Sequence, residues 1–209
     1  MSSLRTATEA GGAIDSTRDR RLMLFAPWCF GHHPIYLGHL IRHWCEQELP
    51  GTLEIVVLPA FLQAHPDVVN LPAAYCSSSV RFVAMTDREQ ADLETKDSGL
   101  ERAFQQYHLI CKYAQSLQAT QALVMFFDSC QIPLVLGLLS PCPLSGLYFR
   151  PTFHYAQLGG YAPGWKERVQ QWREKIFCRE FCKNASFRTL FCLDPFATDL
   201  IRGWDQSSS

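Results

Sequence analysis

The 209-residue chain lacks an excess of charge of either sign, with 19 Lys and Arg residues against 20 Asp and Glu residues. A formal net charge of −1 gives no general electrostatic footprint for nucleic acid or for an anionic membrane surface, although a local basic patch remains compatible with it. No apolar run reaches the roughly eighteen residues of a transmembrane helix. We therefore expect no nucleic-acid partner and no transmembrane segment.

Several common motifs are also missing. There is no GxGxxG and no GxxxxGK[ST], so nicotinamide binding or phosphate-loop chemistry has no direct support. GxSxG is absent too, which argues against a hydrolase with a nucleophile elbow.

The first residues lack the apolar stretch of a secretory signal. Residues 1–21 contain no aromatic residue, and we expect a disordered extension there. The nine cysteines are an odd number, which favours free thiols in a reducing cytosol, mostly used as small buried apolar groups. We expect a cytoplasmic protein, with or without peripheral attachment to the membrane, made of one domain over 22–204 and a tail over 205–209.

Apolar runs alternate with helical patterns along the rest of the chain. The runs predict six strands at 22–26, 53–58, 80–84, 122–127, 144–149 and 187–193. Between them we expect helices after Pro34, from Ser98 to about 117, over 130–139 and over 164–182, with a closing helix at 195–202. Residues 59–79 are predicted as a long loop with one short helix. This alternation predicts an α/β fold: a single Rossmann-like domain with a mainly parallel sheet and helices on both faces.

Two helices carry apolar stripes that we expect to face the core. In the first helix the stripe consists of Leu37, Leu40, Ile41, Trp44 and Cys45. In the last long helix it consists of Trp165, Val169, Trp172, Ile176 and Phe177.

Polar residues follow four of the predicted strands. Because the carboxyl ends of parallel strands meet at one edge of the sheet, where open α/β folds bind ligands, we expect these residues to line one cleft. The candidate site residues are Gly31, His32, His33, Asp128, Arg150, His154 and Asp194.

Each candidate also has a structural interpretation. His32 and His33 could satisfy loop carbonyls, Asp128 and Asp194 could be helix N-caps, and Arg150 could pair with either aspartate. His39 and His43 have an i, i+4 spacing that can bind zinc, but no third ligand is evident, and we expect solvated side chains and no metal site. Cys178 and Cys182 lack CxxC spacing, so core thiols are expected.

Three segments resemble the N-terminal half of a GT-B glycosyltransferase: LMLFAPWCFGHHPIYLGHLIRHW at 22–44, SGLYFRPTFHY at 145–155 and TLFCLDPFA at 189–197. The chain is similar to bacterial enzymes of the large retaining class. The resemblance implies an acceptor-side domain facing a donor domain that holds a nucleotide-sugar, with no metal generally required. Gly31, His32, His33, Arg150 and His154 would face the cleft between the domains.

The resemblance also implies a second domain of comparable size, which the residues up to Ser209 do not include. We therefore expect a truncated or split enzyme that acts on a sugar or glycolipid acceptor, with the donor site supplied by a separate chain or by a homo-oligomer. Trp28, Phe30 and Tyr161 are candidates for the surface facing that second domain.

Two other hypotheses remain open. The chain could be a non-catalytic binding or scaffold module that keeps the fold. It could also be an unrelated small α/β enzyme that uses His32, His33 and Asp128 in acid–base work.

Overall fold

A six-stranded, entirely parallel sheet forms the centre of the protein. The computed structural model describes residues 20–75, 78–95, 98–149 and 164–194. The sheet has the strand order β3-β2-β1-β4-β5-β6, and each neighbouring pair is parallel. Its strands are β1 (Arg21–Ala26), β2 (Thr52–Val57), β3 (Val80–Ala84), β4 (Gln121–Val124), β5 (Leu144–Tyr148) and β6 (Phe187–Cys192).

The apolar runs account for these strands. Strands β1, β2 and β5 lie inside the sheet and are buried along nearly their whole length, as strands covered on both faces must be. Strand β1 begins one residue earlier than predicted, at Arg21. Strand β4 ends at Val124 rather than at residue 127, because the backbone turns into a short 3-10 helix at Phe127–Ser129.

The helices connect the strands in sequence. They are α1 (His33–Glu46), α2 (Pro59–Ala64), α3 (Pro66–Val69), α4 (Leu71–Ala74), α5 (Asp87–Thr95), α6 (Gly99–Ser116), α7 (Gln131–Val135) and α8 (Trp165–Cys182). Helix α6 starts as predicted, since the Ser98 side chain accepts a hydrogen bond of 3.0 Å from the backbone N–H of Glu101.

The helices form two groups, one on each face of the sheet. Helices α1 and α2 to α4 contact one another, and α5 to α8 contact one another in chain order. Right-handed crossovers produce this division, because the chain steps from β1 outward to β3 and then returns to β4 on the other side of β1. The predicted Rossmann-like α/β fold is therefore confirmed.

Helix α5 was not predicted, because its sequence, DREQADLET, has almost no apolar face. It is held by a polar network around Glu89, which is 9% exposed. The Glu89 carboxylate accepts hydrogen bonds from Lys112 Nζ at 2.5 Å and Tyr113 Oη at 2.8 Å on α6, and from the Thr86 backbone N–H at 2.8 Å. Charge-assisted hydrogen bonds thus fix a helix that apolar burial alone would not.

The orientation of α8 contradicts the sequence prediction. Trp165, Val169 and Trp172, expected to face the core, are exposed. The helix instead packs through Cys178 and Phe181, and the Phe181 ring meets the rings of two other core residues at 5.0 Å: Phe127 and Phe187. This aromatic cluster at the C-terminal end of α8 sets the rotation of the whole helix. The closing helix predicted at 195–202 lies outside the described residues.

Two smaller differences concern the other predicted helices. The region 59–79 contains the three short helices α2 to α4 rather than one, each with a proline in its first turn, where its missing N–H needs no partner. Helix α7 is shorter than predicted and ends at Val135.

Candidate functional site

The strand order of the sheet reverses direction between β1 and β4. The chain moves one way from β1 to β3 and the other way from β4 to β6, so the loops after β1 and β4 diverge. Open α/β sheets leave a crevice where this happens, at the carboxyl ends of the strands.

A cavity of about 740 Å³ occupies this position, and we call it the aromatic cleft. The loop after β1, the start of α1 and the residues that follow β4, β5 and β6 line it. Its residues are Trp28, Phe30, Gly31, His32, His33, Tyr36, Phe126, Phe149, Leu193 and Asp194.

Aromatic rings form the floor of the cleft. The Phe126 ring lies 5.5 Å from Trp28 and 5.1 Å from His33, both edge-on. The Phe149 ring lies 5.3 Å from His33 and 5.2 Å from Tyr36. Contacts of this geometry stabilise ring clusters beyond simple burial. The floor is therefore a packed, apolar surface whose shape the protein itself maintains.

The N-terminus of α1 points into the same cleft. Gly31 has a φ of 73°, a left-handed conformation that suits glycine and turns the chain into the helix. His32 is the N-cap residue, but its side chain makes no capping hydrogen bond and is exposed. The first turn of α1 contains no acidic residue. The first N–H groups of a helix and its dipole together favour a negatively charged or electron-rich group here.

The aspartates have different positions. Asp194 lines the cleft. Asp128 does not; its Oδ2 accepts a hydrogen bond of 3.1 Å from the Phe149 backbone N–H. Asp128 thus ties the end of β5 to the loop after β4 and positions the Phe149 ring. Arg150 and His154 lie outside the described residues, so their predicted place in the cleft stays a prediction.

A second cavity of about 330 Å³ lies on the other side of the loop after β1. Trp28 and Phe30 belong to both cavities, while Glu94 on α5 and Arg102 on α6 add charges to this one. Burial, and secondarily Glu94, raises the pKa of the Cys29 thiol, which therefore stays protonated at neutral pH. The cavity thus combines apolar walls with one charge of each sign.

The loop between the two cavities is anchored at one point. His65 Nε2 donates a hydrogen bond of 2.7 Å to the Cys29 carbonyl oxygen, which fixes the tautomer of that ring. The His65 ring also packs against Phe61 at 4.9 Å. Within the part of the chain that the structure describes, no acceptor lies within hydrogen-bond reach of the buried Trp28 Nε1.

Sequence reasoning placed part of this site together and missed another part. Gly31, His32, His33 and Asp194 come to one cleft, and Trp28 and Phe30 line it as well. The contributions of Tyr36, Phe126 and Phe149 were not anticipated. The available signal was that Phe126 and Phe149 lie at the ends of the apolar runs predicted as strands.

The described residues contain no cluster of three or more His, Cys, Asp and Glu side chains arranged to hold a metal ion. His39 and His43 are both exposed on α1. None of the described helices is both long and apolar enough to cross a bilayer.

The fold has a counterpart among solved structures. The chain is similar to a crystal structure from Listeria monocytogenes assigned as a UDP-N-acetylglucosamine 2-epimerase, with a TM-score of 0.51 and 7% sequence identity. The match covers 90% of this chain and 43% of the other, so the chain spans less than half the length of that protein. At this identity the likeness shows the fold alone, which is the Rossmann-like α/β fold described above. The sequence matches no protein-family model and no curated protein.

Proposed function

We propose that this chain is the acceptor-side domain of a GT-B-like enzyme that processes nucleotide-sugars, and that the aromatic cleft holds the sugar-bearing acceptor. The observation that carries the proposal is the cleft itself: a cavity of about 740 Å³ at the strand-order reversal, with an aromatic floor and a rim of His32, His33 and Asp194. The fold likeness to a UDP-sugar enzyme supports the same class.

The chemistry of the cleft suits a carbohydrate. Sugars present C–H faces that pack on aromatic rings and hydroxyls that need hydrogen-bond partners, and ligand sites combine such apolar walls with a few polar groups. Phe30 is 81% exposed at the rim and offers one such ring. The Asp194 carboxylate at the cleft can accept from a hydroxyl.

The histidines give the cleft a second capability. An imidazole ring can both accept and donate a proton, so His32 or His33 can act as a general acid or base during transfer to an acceptor hydroxyl. The positive end of α1 beside them can stabilise negative charge on a departing phosphate. In this proposal the second domain supplies the contacts to the nucleotide.

A second candidate function is a binding module without catalysis. The observation in its favour is that Phe30 and Ile35, both next to the histidines, are exposed apolar side chains, as expected of a surface that docks another macromolecule. The two functions differ in turnover, and both predict binding at the aromatic cleft.

Ligand binding by the chain alone tests the cleft. Saturation-transfer NMR with a panel of methyl glycosides should detect weak binding, and Phe30→Ala and His32→Ala should each weaken it several-fold. His39→Ala is the matched control, because His39 is an exposed histidine of the same helix outside the cleft. Equal binding by all four proteins would place the sugar elsewhere.

Transfer assays separate the two functions. The chain is incubated with radiolabelled UDP-sugars and the glycosides that bind, alone and together with any donor-domain protein encoded beside its gene. Product that depends on His32 or His33 supports the enzyme. Glycoside binding with no product in any combination favours the binding module. The absence of both binding and product rejects both functions.

A further inference from the structure

Helix α8 presents an apolar stripe to the outside of the protein. Trp165 is 73% exposed, Val169 55% and Trp172 66%. Their spacing of four and three residues puts them on one line along the helix. The buried residues of α8 lie on the opposite side: Gln171, Cys178 and Phe181. The helix thus has its bulky aromatic side facing away from the sheet.

Such a stripe is unfavourable in water. Two indole rings and a valine on one face leave a contiguous apolar surface, of the kind that marks an interaction site. The exposed Leu136 and Leu139 after α7 lie toward the other end of α8, since Asn184 just beyond α8 donates hydrogen bonds to the Leu134 and Leu138 carbonyl oxygens. The apolar stripe is therefore a feature of the N-terminal half of α8.

Basic side chains border the stripe on both sides. At 3.6 residues per turn, one flank carries Arg168, Lys175 and Arg179, and the other carries Lys166 and Arg173. The helix has five basic and three acidic residues, whereas the whole chain has a formal net charge of −1. The positive charge is thus concentrated next to the exposed indoles.

The three acidic residues of α8 do not cancel this arrangement. Glu167 accepts a hydrogen bond of 2.8 Å from the Gly164 backbone N–H at the start of the helix. Glu174 accepts from Gln170 at 3.0 Å, and Glu180 pairs with a lysine beyond the helix end at 2.8 Å. Glu167 and Glu174 also lie on the side away from the stripe, and Glu180, on the flank of Lys166 and Arg173, has its charge paired with Lys183.

We propose that the α8 face binds the surface of an anionic lipid bilayer. Trp side chains favour the boundary between water and lipid, and Lys and Arg extend their charged ends toward phosphate groups while their stems lie on apolar surface. Two of the cations already lie over aromatic rings: Lys166 Nζ is 5.8 Å from the Trp165 ring centre, and Arg173 Cζ is 5.9 Å from that of Phe177. A bilayer matches both the apolar stripe and its basic borders at once.

Vesicle co-sedimentation measures this binding. The chain is mixed with vesicles of phosphatidylcholine alone and of equal parts phosphatidylcholine and phosphatidylglycerol. We expect binding to the anionic vesicles only, weakened by salt because exposed charges are screened. The double variant Trp165→Ala, Trp172→Ala should bind at least about tenfold more weakly. Arg168→Glu should lower the affinity at least about fivefold, because one basic residue near an anionic lipid surface contributes about that factor to binding.

Two controls keep the test specific. Arg42→Glu makes the same charge reversal at an exposed position of α1, on the other side of the sheet, and should bind several-fold more tightly than Arg168→Glu. Far-ultraviolet circular dichroism of each variant confirms folding; all the replaced side chains are exposed. Vesicles with brominated acyl chains should quench the fluorescence of Trp165 and Trp172 in the native chain. The double Trp variant lacks these two rings and should lose that quenching.

Other occupants of the face give distinct results. Failure of the native chain to bind anionic vesicles, or equal binding by the double Trp variant, overturns the proposal. A native dimer that the double variant converts to a monomer, without vesicle binding, assigns the face to a second copy. If acrylamide fails to quench the fluorescence of Trp165 and Trp172 in the free chain, another part of the chain covers the face. This result also overturns the proposal.

Discussion

The network around Glu89 makes a quantitative prediction about stability in acid. Burial by itself raises the pKa of the Glu89 carboxyl, but hydrogen bonds from Lys112, Thr86 and Tyr113 outweigh burial and lower the pKa from 4.5 to about 2. Because the folded-state pKa lies below the unfolded value, the charged carboxylate stabilises the fold above about pH 4.5. This stability is lost as the pH falls toward 2.

The magnitude follows from the two pKa values. At about 1.4 kcal/mol per pKa unit, the lowering from 4.5 to about 2 contributes about 3.5 kcal/mol at neutral pH, of which somewhat under half remains at about pH 3. Glu89→Gln keeps the size of the side chain and removes the charge that Lys112 needs. We therefore expect the variant to be about 2–3 kcal/mol less stable at pH 7, with the difference shrinking steadily as the pH is lowered.

Urea unfolding followed by circular dichroism measures this difference at a series of pH values. Glu101→Gln, at an exposed glutamate in the first turn of α6, is the matched control and should change stability by less than about 0.5 kcal/mol. A difference in stability between the native protein and Glu89→Gln that is the same at pH 7 and pH 3 would contradict this prediction. Such a constant gap would mean that the carboxylate acts through packing and not through its charge.

Three further predictions concern other parts of the fold. Gly146→Ala would place a Cβ 2.4 Å from the Phe127 ring, so we expect the free energy of unfolding to fall by about 1–3 kcal/mol. Calorimetry should show a melting temperature lower by several degrees, and an unchanged melting temperature would contradict this contact. Asp128→Ala removes the acceptor of the Phe149 N–H and should lower the urea midpoint by an amount equivalent to about 1–2 kcal/mol, whereas Asp128→Asn should recover part of it. Cys182, an exposed thiol, should react with Ellman's reagent in the native protein, while the four buried thiols react only after unfolding. Reaction of the buried thiols in the native protein would contradict the core packing.

The sheet was predictable because its strands are short, largely apolar runs. Strand β2 is buried from Leu53 to its end, and its one charged residue, Glu54, pairs with Arg81 of β3. Helix α6 was predictable from its Ser98 cap. Helix α5 was not, because a helix held by one buried carboxylate leaves no periodic apolar signal in its sequence.

The side of α8 that faces the sheet could not be read from periodicity either. Its strongest apolar stripe includes Trp165 and Trp172, and the usual assumption that such a stripe is buried is wrong here. The contacts that orient the helix join Phe181 to Phe127 and Phe187, residues from two other elements. A long-range cluster of this kind outweighs a local pattern and can be recognised only once the fold is assembled.

For the candidate site, the sequence placed the polar groups better than the apolar ones. Strand ends were enough to bring His32, His33 and Asp194 to one edge, because parallel strands share that edge. The ring contacts of Phe126 and Phe149 depend on side-chain directions at two turns, which no spacing rule supplies. Their part in a site, like that of the histidines, is a prediction that the binding experiments test.

The loop after β1 forms a common wall of the two cavities. Trp28 and Phe30 line both of them, so a change in the orientation of either ring alters the shape of both cavities. We therefore expect a molecule that fixes these rings from one side to change the affinity for a molecule on the other side. Thermodynamic reciprocity requires the effect to be equal in both directions. The hydrogen bond from His65 to the Cys29 carbonyl oxygen anchors the backbone of this loop between the two residues whose rings form the common wall.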